Sequence, residues 1–536
     1  MTGLVIPSIL AAALLAFGWL GGSGITLVAA FVPLLYINEQ LGRGGGWRCF
    51  LWVGLALGLW CGATTWWIWY AAPVGAVAAV VIEVAYFGGM FMLYRLVWRC
   101  APRWVAYATL VAGWIACEYL YTVGELSFPW LTLGNGLAND THLVQWYEYT
   151  GTLGGSLWVL SANVLIWEAL RRRSLRWGFG AAAWVAIPVA ISLLIYRTEG
   201  WPKKGGTAKV TVVQPNIDPY SEKFSRPQQE QTALMLSLVR EARCGEDFIV
   251  LPETAVEDNL WEGSFQLSQS LASMRELLGE GVWPILRSDL PGPDGRFADD
   301  LRGAQIVFGA TTYRSYGQGE QVSETARRSN LFDGWYDVYN SALALDTAQV
   351  AVHHKAKLVA GAEKIPFWSL TSHLNFLIVD LGGISGQLGS DTLHTVFVSP
   401  RGVRSAAAIC YESVYGEYFA EFVRRGAQIM FVVTNDGWWH DTPGYRQHFS
   451  FARLRAIETR RAIARSANTG ISGFISPRGD VIGSLGWDRR GALTASLPVG
   501  GKTTFYTRHG DYIGRICAWI LLASLLTAIV WRQRRL

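Results

Sequence analysis

The sequence has few cysteines, seven in 536 residues, and their spacing is irregular. No CxxC pair suited to zinc occurs, and no disulfide framework is visible. Cys49, Cys61, Cys100, Cys117 and Cys517 lie in or beside long apolar runs, leaving only Cys244 and Cys410 elsewhere. His353 and His354 lack companions at ligand spacing, so no metal site and no cofactor is expected. Internal repeats and low-complexity tracts are absent. A basic stripe is missing too: the net charge is +5, and the arginines gather beside apolar runs, which argues against nucleic-acid binding. The first apolar run has no positive leader and no convincing small-residue cleavage site, so it reads as a retained anchor.

What is present is apolar length. Apolar residues make up 51% of the chain and 26 are Trp, and the mean hydropathy is +0.22. These values suggest a membrane protein with aromatic interface anchors. Runs near 4–22, 24–38, 50–70, 74–98, 104–123, 154–170, 177–196 and 512–531 approach spanning length, about 17–25 residues. The second is short enough to be re-entrant. With a cytoplasmic N-terminus and eight crossings, the inner loops and helix ends hold Arg43, Arg48, Arg95, Arg99, Arg103, Arg171, Arg172, Arg173 and Arg176. The tail adds Arg532, Arg534 and Arg535, whereas the opposite loops, 71–73 and 124–153, contain no Lys or Arg. That asymmetry is the positive-inside pattern. It predicts a membrane domain over 1–196, an exported domain over 197–511, and a final helix with a basic cytoplasmic tail over 512–536.

Within the exported segment, strand patterns recur at 208–213, 248–251, 305–309, 341–345, 405–410 and 429–434. Helical patterns at 228–243 and 448–467 lie among them, which predicts an α/β domain. Residues 287–300, RSDLPGPDGRFADD, read as a surface insertion. The chemistry gathers at strand ends. Cys410 closes the apolar run SAAAIC, Glu253 follows FIVLP, and Lys355 follows another apolar stretch. A thiol attacks as a thiolate and so requires a base or a nearby cation, which Glu253 and Lys355 could supply. Glu83 and Glu118 fall inside apolar runs, where a carboxyl group is costly.

Glu, Lys and Cys in that order and context resemble the nitrilase superfamily. Combined with seven helices before the domain and one after, they resemble the apolipoprotein N-acyltransferase family. Further pieces follow in the family's order: SFPWLTLG at Ser127–Gly134, VVQPNI at Val212–Ile217, YNSALAL, KAKLVAGAEKIPF, AAICYES, TNDGWW, QHFSFARLRAIETRR and SANTGIS. The resemblance implies a membrane helical bundle of about eight helices joined to an exported αββα sandwich. It implies Glu253 as general base, Lys355 as oxyanion stabiliser, Cys410 as nucleophile and Glu363 as a second glutamate near the lysine. Tyr411 and Glu412 would shape the site, with Asn340 of YNSALAL beside it. Asn435, Trp438 and Trp439 would belong to a lid. Phe224, in SEKF, stands where a tryptophan is common, and AGAEK replaces the frequent PFGE segment. The implied reaction moves an acyl chain from a phospholipid, commonly phosphatidylethanolamine, through a cysteine thioester to a lipoprotein's diacylglyceryl-cysteine. The setting would be a bacterial inner membrane with both termini cytoplasmic, and a monomer is expected. A membrane-tethered amidase and a non-catalytic scaffold are the competing readings.

Overall fold

Long apolar runs in the first two hundred residues become helices, because a helix satisfies every internal backbone group without water. The computed structural model describes residues 2–125, 127–199, 206–223, 225–242, 246–279, 303–364 and 387–534. Among them, five helices are long and apolar enough to cross a membrane: Gly46–Thr65, Pro73–Cys100, Tyr147–Arg172, Leu175–Thr198 and Tyr512–Gln533. The expected count of about eight is therefore not reached on length and composition. Val5–Ala16 is only 12 residues long, and the run at 24–38 becomes a short 3-10 turn followed by the helix Val32–Gln40. The 21-residue helix Arg103–Val123 is long enough, but its tyrosines, tryptophans and Glu118 dilute the apolar run.

The chain divides into two compact units: Met1–Glu199, Thr442–Glu458 and Thr504–Leu536 form one, and Gly200–Asp441 with Thr459–Thr503 form the other. Two stretches inside 197–511 thus pack in the helical unit. There the helix Pro443–Thr459 is fastened by Gln447, which donates to the carbonyls of Trp19 at 3.1 Å and Thr64 at 3.0 Å. Its Oε1 accepts from the Trp130 indole at 2.7 Å. The carboxyl groups of the apolar runs also find donors. Glu118 accepts from the Trp114 indole and the Leu133 amide, and Glu83 accepts from the Tyr121 hydroxyl.

The second unit holds two sheets. In chain order its strands are β1 (Thr207–Gln214), β2 (Phe248–Val250), β3 (Val256–Trp261), β4 (Gln305–Ser315), β5 (Arg327–Arg328), β6 (Trp335–Leu345) and β7 (Val350–His354). They continue with β8 (Phe397–Val398), β9 (Arg404–Ile409), β10 (Ile429–Thr434), β11 (Ile463–Ala467), β12 (Ser472–Ile475), β13 (Val481–Leu485) and β14 (Gly491–Pro498). The first sheet runs β14-β1-β2-β4-β6-β5, with β3 on β4 and β7 on β6; the second runs β13-β12-β11-β10-β9-β8. Val210, Val212, Phe248, Val250, Ile409, Phe431 and Val433 meet in one buried core between them, where Phe248 and Phe431 pack edge to face. The other face of the first sheet is covered by the helices Gln228–Ala242 and Gln269–Leu277 through Met235, Leu236, Leu271 and Met274.

All six strand patterns fall on strands. The helical reading of 448–467 is corrected: the helix ends at Thr459, and Ile463–Ala467 is a strand paired in parallel with β10. Arg460, at φ +51°, breaks the helical path, and the apolar residues that follow are claimed by the sheet. The expected insertion at 287–300 and Cys244 lie outside the described residues.

Beyond β10, Asp436 and Arg465 form a fully buried ion pair at 2.8 Å. Asp436 also accepts from Thr434, and Arg465 donates to the Ile471 carbonyl. Removing one partner strands the other charge in the core. Arg465→Ala is therefore expected to destabilise this unit by about 3–5 kcal/mol, read as a lowered unfolding midpoint of the purified protein. A change within about 1 kcal/mol would show that the pair is dispensable.

Candidate active site

Each reactive side chain leaves the sheets where a strand stops. Pro252 has no N–H with which to extend β2, and its carbonyl accepts from Gly309 at 2.9 Å, so the chain turns at Glu253. Gly309 permits this turn. A Cβ there would lie 2.5 Å from the Glu253 Cα and 2.6 Å from the Thr254 nitrogen. On the second sheet Ile409 pairs with Val433, so Cys410 and Thr434 lie at the same level on neighbouring parallel strands. Cys410 has φ +49°, a left-handed conformation that costs a side-chain-bearing residue energy and re-aims it out of the strand. His354 closes β7 opposite Ser341, and the next amide, Lys355, donates to the Asn340 carbonyl at 2.8 Å.

These turns converge on one buried lysine. Lys355 Nζ donates to Glu363 Oε1 at 2.7 Å and to Glu253 Oε1 at 3.2 Å. Asn340 Nδ2 bridges the same two oxygens, at 2.9 Å to Glu253 and 3.0 Å to Glu363. The second oxygen of each carboxylate is held by backbone: Asn435 N–H to Glu253 at 3.1 Å, and Val359 N–H to Glu363 at 2.8 Å. Burial alone would drive the Lys355 ammonium down, but the Glu253 and Glu363 carboxylates outweigh it and hold the group well above its ordinary value. Cys410 behaves in the opposite way. Burial pushes its thiol up and the Glu253 charge pushes it further, while Lys355 and a hydrogen bond with Thr434 pull it back. The outcome is a resting thiol beside a carboxylate and a permanent cation. That set can move a proton off sulfur as the sulfur attacks.

The expected residues Glu253, Lys355, Cys410, Glu363, Asn340 and Asn435 are therefore brought together. Glu412 lies one layer behind. Its carboxylate accepts from the amides of Ile409 at 2.9 Å and Ala356 at 2.7 Å, tying the turn before Cys410 to the segment after Lys355. Tyr418 donates to it at 2.7 Å, and His353 Nε2 stands 3.5 Å away. Tyr411 is buried with its ring edge-on to Tyr415. Trp438 and Trp439 are half-buried on the short turn Asp436–Trp439, and Tyr220 donates to the Trp438 carbonyl at 2.8 Å. Phe224 lies outside the described residues.

Sequence reasoning missed Gly309, Lys223, His353 and Tyr418 as supports. Lys223 is buried, donates to the Thr254 carbonyl at 2.8 Å, and so props the turn carrying Glu253. No local pattern marks it. It looks like any polar loop lysine until the fold buries it.

A carbon-nitrogen hydrolase family model matches residues 326–503. A model for the apolipoprotein N-acyltransferase N-terminal domain matches residues 11–165. An apolipoprotein N-acyltransferase of Chlorobaculum tepidum is 29% identical over 94% of this chain and 92% of its own length. One from Agrobacterium fabrum is 27% identical over 97% and 90%, respectively. Among solved structures, an amidase from Nesterenkonia sp. aligns with 59% of this chain and 98% of its own at 16% identity and a TM-score of 0.36.

The charges around Cys410 give a signed prediction. Glu253→Gln removes the carboxylate that holds the thiol up, so more thiolate exists at a given pH. Iodoacetamide should then label Cys410 faster at pH 8 than it labels the unsubstituted protein. Lys355→Met removes the opposing cation and should slow labelling. Labelling that slows in Glu253→Gln would contradict this electrostatic arrangement.

Proposed function

Because the chain belongs to the apolipoprotein N-acyltransferase family, a membrane-embedded branch of the carbon-nitrogen hydrolases, we propose that it acylates lipoproteins through a thioester on Cys410. The donor is a phospholipid, with phosphatidylethanolamine the leading candidate, and the acceptor is the free α-amino group of an N-terminal diacylglyceryl-cysteine. The observation that carries this reading is the buried Lys355 held between Glu253 and Glu363 beside the Cys410 thiol.

In the first half-reaction Glu253 takes the Cys410 proton as sulfur attacks the ester carbonyl. Lys355 and a backbone N–H after the cysteine stabilise the oxyanion. The tetrahedral adduct collapses with cleavage of the C–O bond, and Glu253 returns the proton to the departing lysophospholipid alkoxide. In the second half-reaction the lipoprotein amine attacks the thioester and Glu253 accepts its proton. The C–S bond then breaks, the amide is released, and Cys410 recovers its proton from Glu253. Glu363 and Asn340 hold Lys355 and Glu253 in register for both steps. Glu412 fixes the two backbone turns, and Tyr411 completes the wall beside the nucleophile. Asn435 orients Glu253 through its amide, while Trp438 and Trp439 serve as the lid on the lipid side. Water is the competing nucleophile at the thioester, so a dry site separates the transferase from an amidase.

The arginine asymmetry supports eight crossings of an inner membrane, with three shorter or more polar helices spanning beside the five apolar ones. Both ends are then cytoplasmic and the sandwich periplasmic. The protein acts as a monomer, with no metal or cofactor in the cycle.

The test is stoichiometry. Purified protein in nanodiscs with phosphatidylethanolamine and a diacylglyceryl-cysteine peptide should release one lysophospholipid per peptide acylated, and Cys410→Ala should abolish both products. Release of free fatty acid without peptide acylation, or turnover of small amides without lipid, would replace this reading with the amidase.

A further inference from the structure

The loop after β1 makes one tight turn, and its two ends fasten different parts of the candidate active site. Asp218 builds the turn. Its Oδ1 accepts from the amides of Tyr220 and Ser221, each at 2.8 Å, and its carbonyl accepts from the amides of Glu222 at 3.1 Å and Lys223 at 2.9 Å. The root is fixed by Asn468, whose Nδ2 donates to the Ile217 carbonyl at 2.7 Å and to Asn435 Oδ1 at 3.2 Å. Residues 218–223 therefore form one hydrogen-bonded unit.

At one end Tyr220 meets the turn Asp436–Trp439. Its hydroxyl donates to the Trp438 carbonyl at 2.8 Å, its ring lies edge-on to the Trp438 indole, and it stacks on His440 with the ring planes 9° apart. Tyr220 is 49% exposed, so these directional contacts hold it there rather than burial.

At the other end Lys223 is only 5% exposed. Its Nζ donates to the Thr254 carbonyl at 2.8 Å and reaches the Glu253 carbonyl at 3.5 Å. Thr254 has φ +50°, a left-handed conformation that a branched residue keeps only where its surroundings impose it. A buried ammonium is a costly fastener for such a turn. Burial pulls Lys223 below its ordinary value, against the Glu257 and Glu253 carboxylates. Glu257 Oε1 is itself buried, with no hydrogen-bond partner among the described residues. The turn that carries the base is thus strained, and the contact that holds it leads back to Tyr220.

We propose that Tyr220 and Lys223 are positioning residues for Glu253, joined by the 218–223 turn so that the Trp438 turn and the base move together. Tyr220 acts on Glu253 through Lys223. The purpose rests on the acyl-transfer reading, with Trp438 on the lid. Glu253 is in register with Cys410 only while the lid is seated, and water that enters with the lid open meets a thioester without its general base.

The test reads amide hydrogen exchange in the full chain in nanodiscs, on a Cys410→Ala background so that no turnover intervenes. Tyr220→Phe keeps the ring and loses only the hydroxyl. It should speed exchange at 253–257 as well as at 436–440, by about fivefold, the scale of one hydrogen bond. Lys223→Met should speed exchange at both segments too. In the double variant Tyr220→Phe should add nothing at 253–257, because the link is already cut. With Cys410 intact and phosphatidylethanolamine alone, each single variant should slow thioester formation by at least about fivefold, and the double should be no slower than Lys223→Met. Unfolding midpoints identify folded variants, and Tyr220→Phe, at an exposed position, tests the coupling even where Lys223→Met does not fold. Exchange that changes only beside the substituted residue would overturn the proposal. So would a Tyr220→Phe effect at 253–257 that persists in full without Lys223, since the signal would then run through Asn435. Cross-coupled exchange in a protein that forms no thioester would uphold the coupling and overturn only the acyl-transfer reading.

Discussion

The structure of the catalytic unit depends on keeping one ammonium buried. Lys355 is withdrawn from water, and two carboxylates from separate chain segments, Glu253 and Glu363, are needed to hold it. An unpaired buried cation would cost several kcal/mol, so the pairing fixes where the β2 and β7 exits can lie. Asn340 then satisfies both carboxylates at once, and backbone amides take their remaining oxygens. Glu412 does for the backbone what Lys355 does for the side chains, joining the cysteine turn to the lysine segment through main-chain donors. Reactive geometry here follows from charge satisfaction.

That economy explains the protonated cysteine. A thiolate would add a negative charge beside Glu253 and Asp436, with Lys355 the one cation acting on it. Burial and Glu253 therefore hold the thiol up. In the proposed cycle, a nucleophile silent at rest suits a thioester that must survive until a second lipid-anchored substrate arrives.

Much of this was legible in the sequence, and the reasons are physical. SAAAIC, FIVLP and IMFVVT are continuous apolar runs, which buried parallel strands require, and each falls on a strand ending at a site residue. β11 was hidden because IARSA follows a helical run without Gly or Pro, and the break came only from the left-handed Arg460. The membrane count suffered from the opposite problem. Arg103–Val123 carries Glu118 and several tyrosines that dilute its apolar run, yet it buries Trp114, Tyr121 and Glu118 among its neighbours. Gly309 and Lys223 act through long-range contacts, to Glu253 and Thr254, and no local pattern encodes such contacts.

The central claim is that Cys410 carries the acyl group between two substrates. Intact-protein mass spectrometry after incubation with phosphatidylethanolamine alone tests it most directly, with Cys410→Ser in parallel. The account predicts a mass gain of one acyl chain that hydroxylamine removes, with Cys410→Ser unable to form that labile adduct. Folded wild-type protein that turns over both substrates yet never shows the adduct would contradict it, because direct transfer between bound lipids would then be the mechanism.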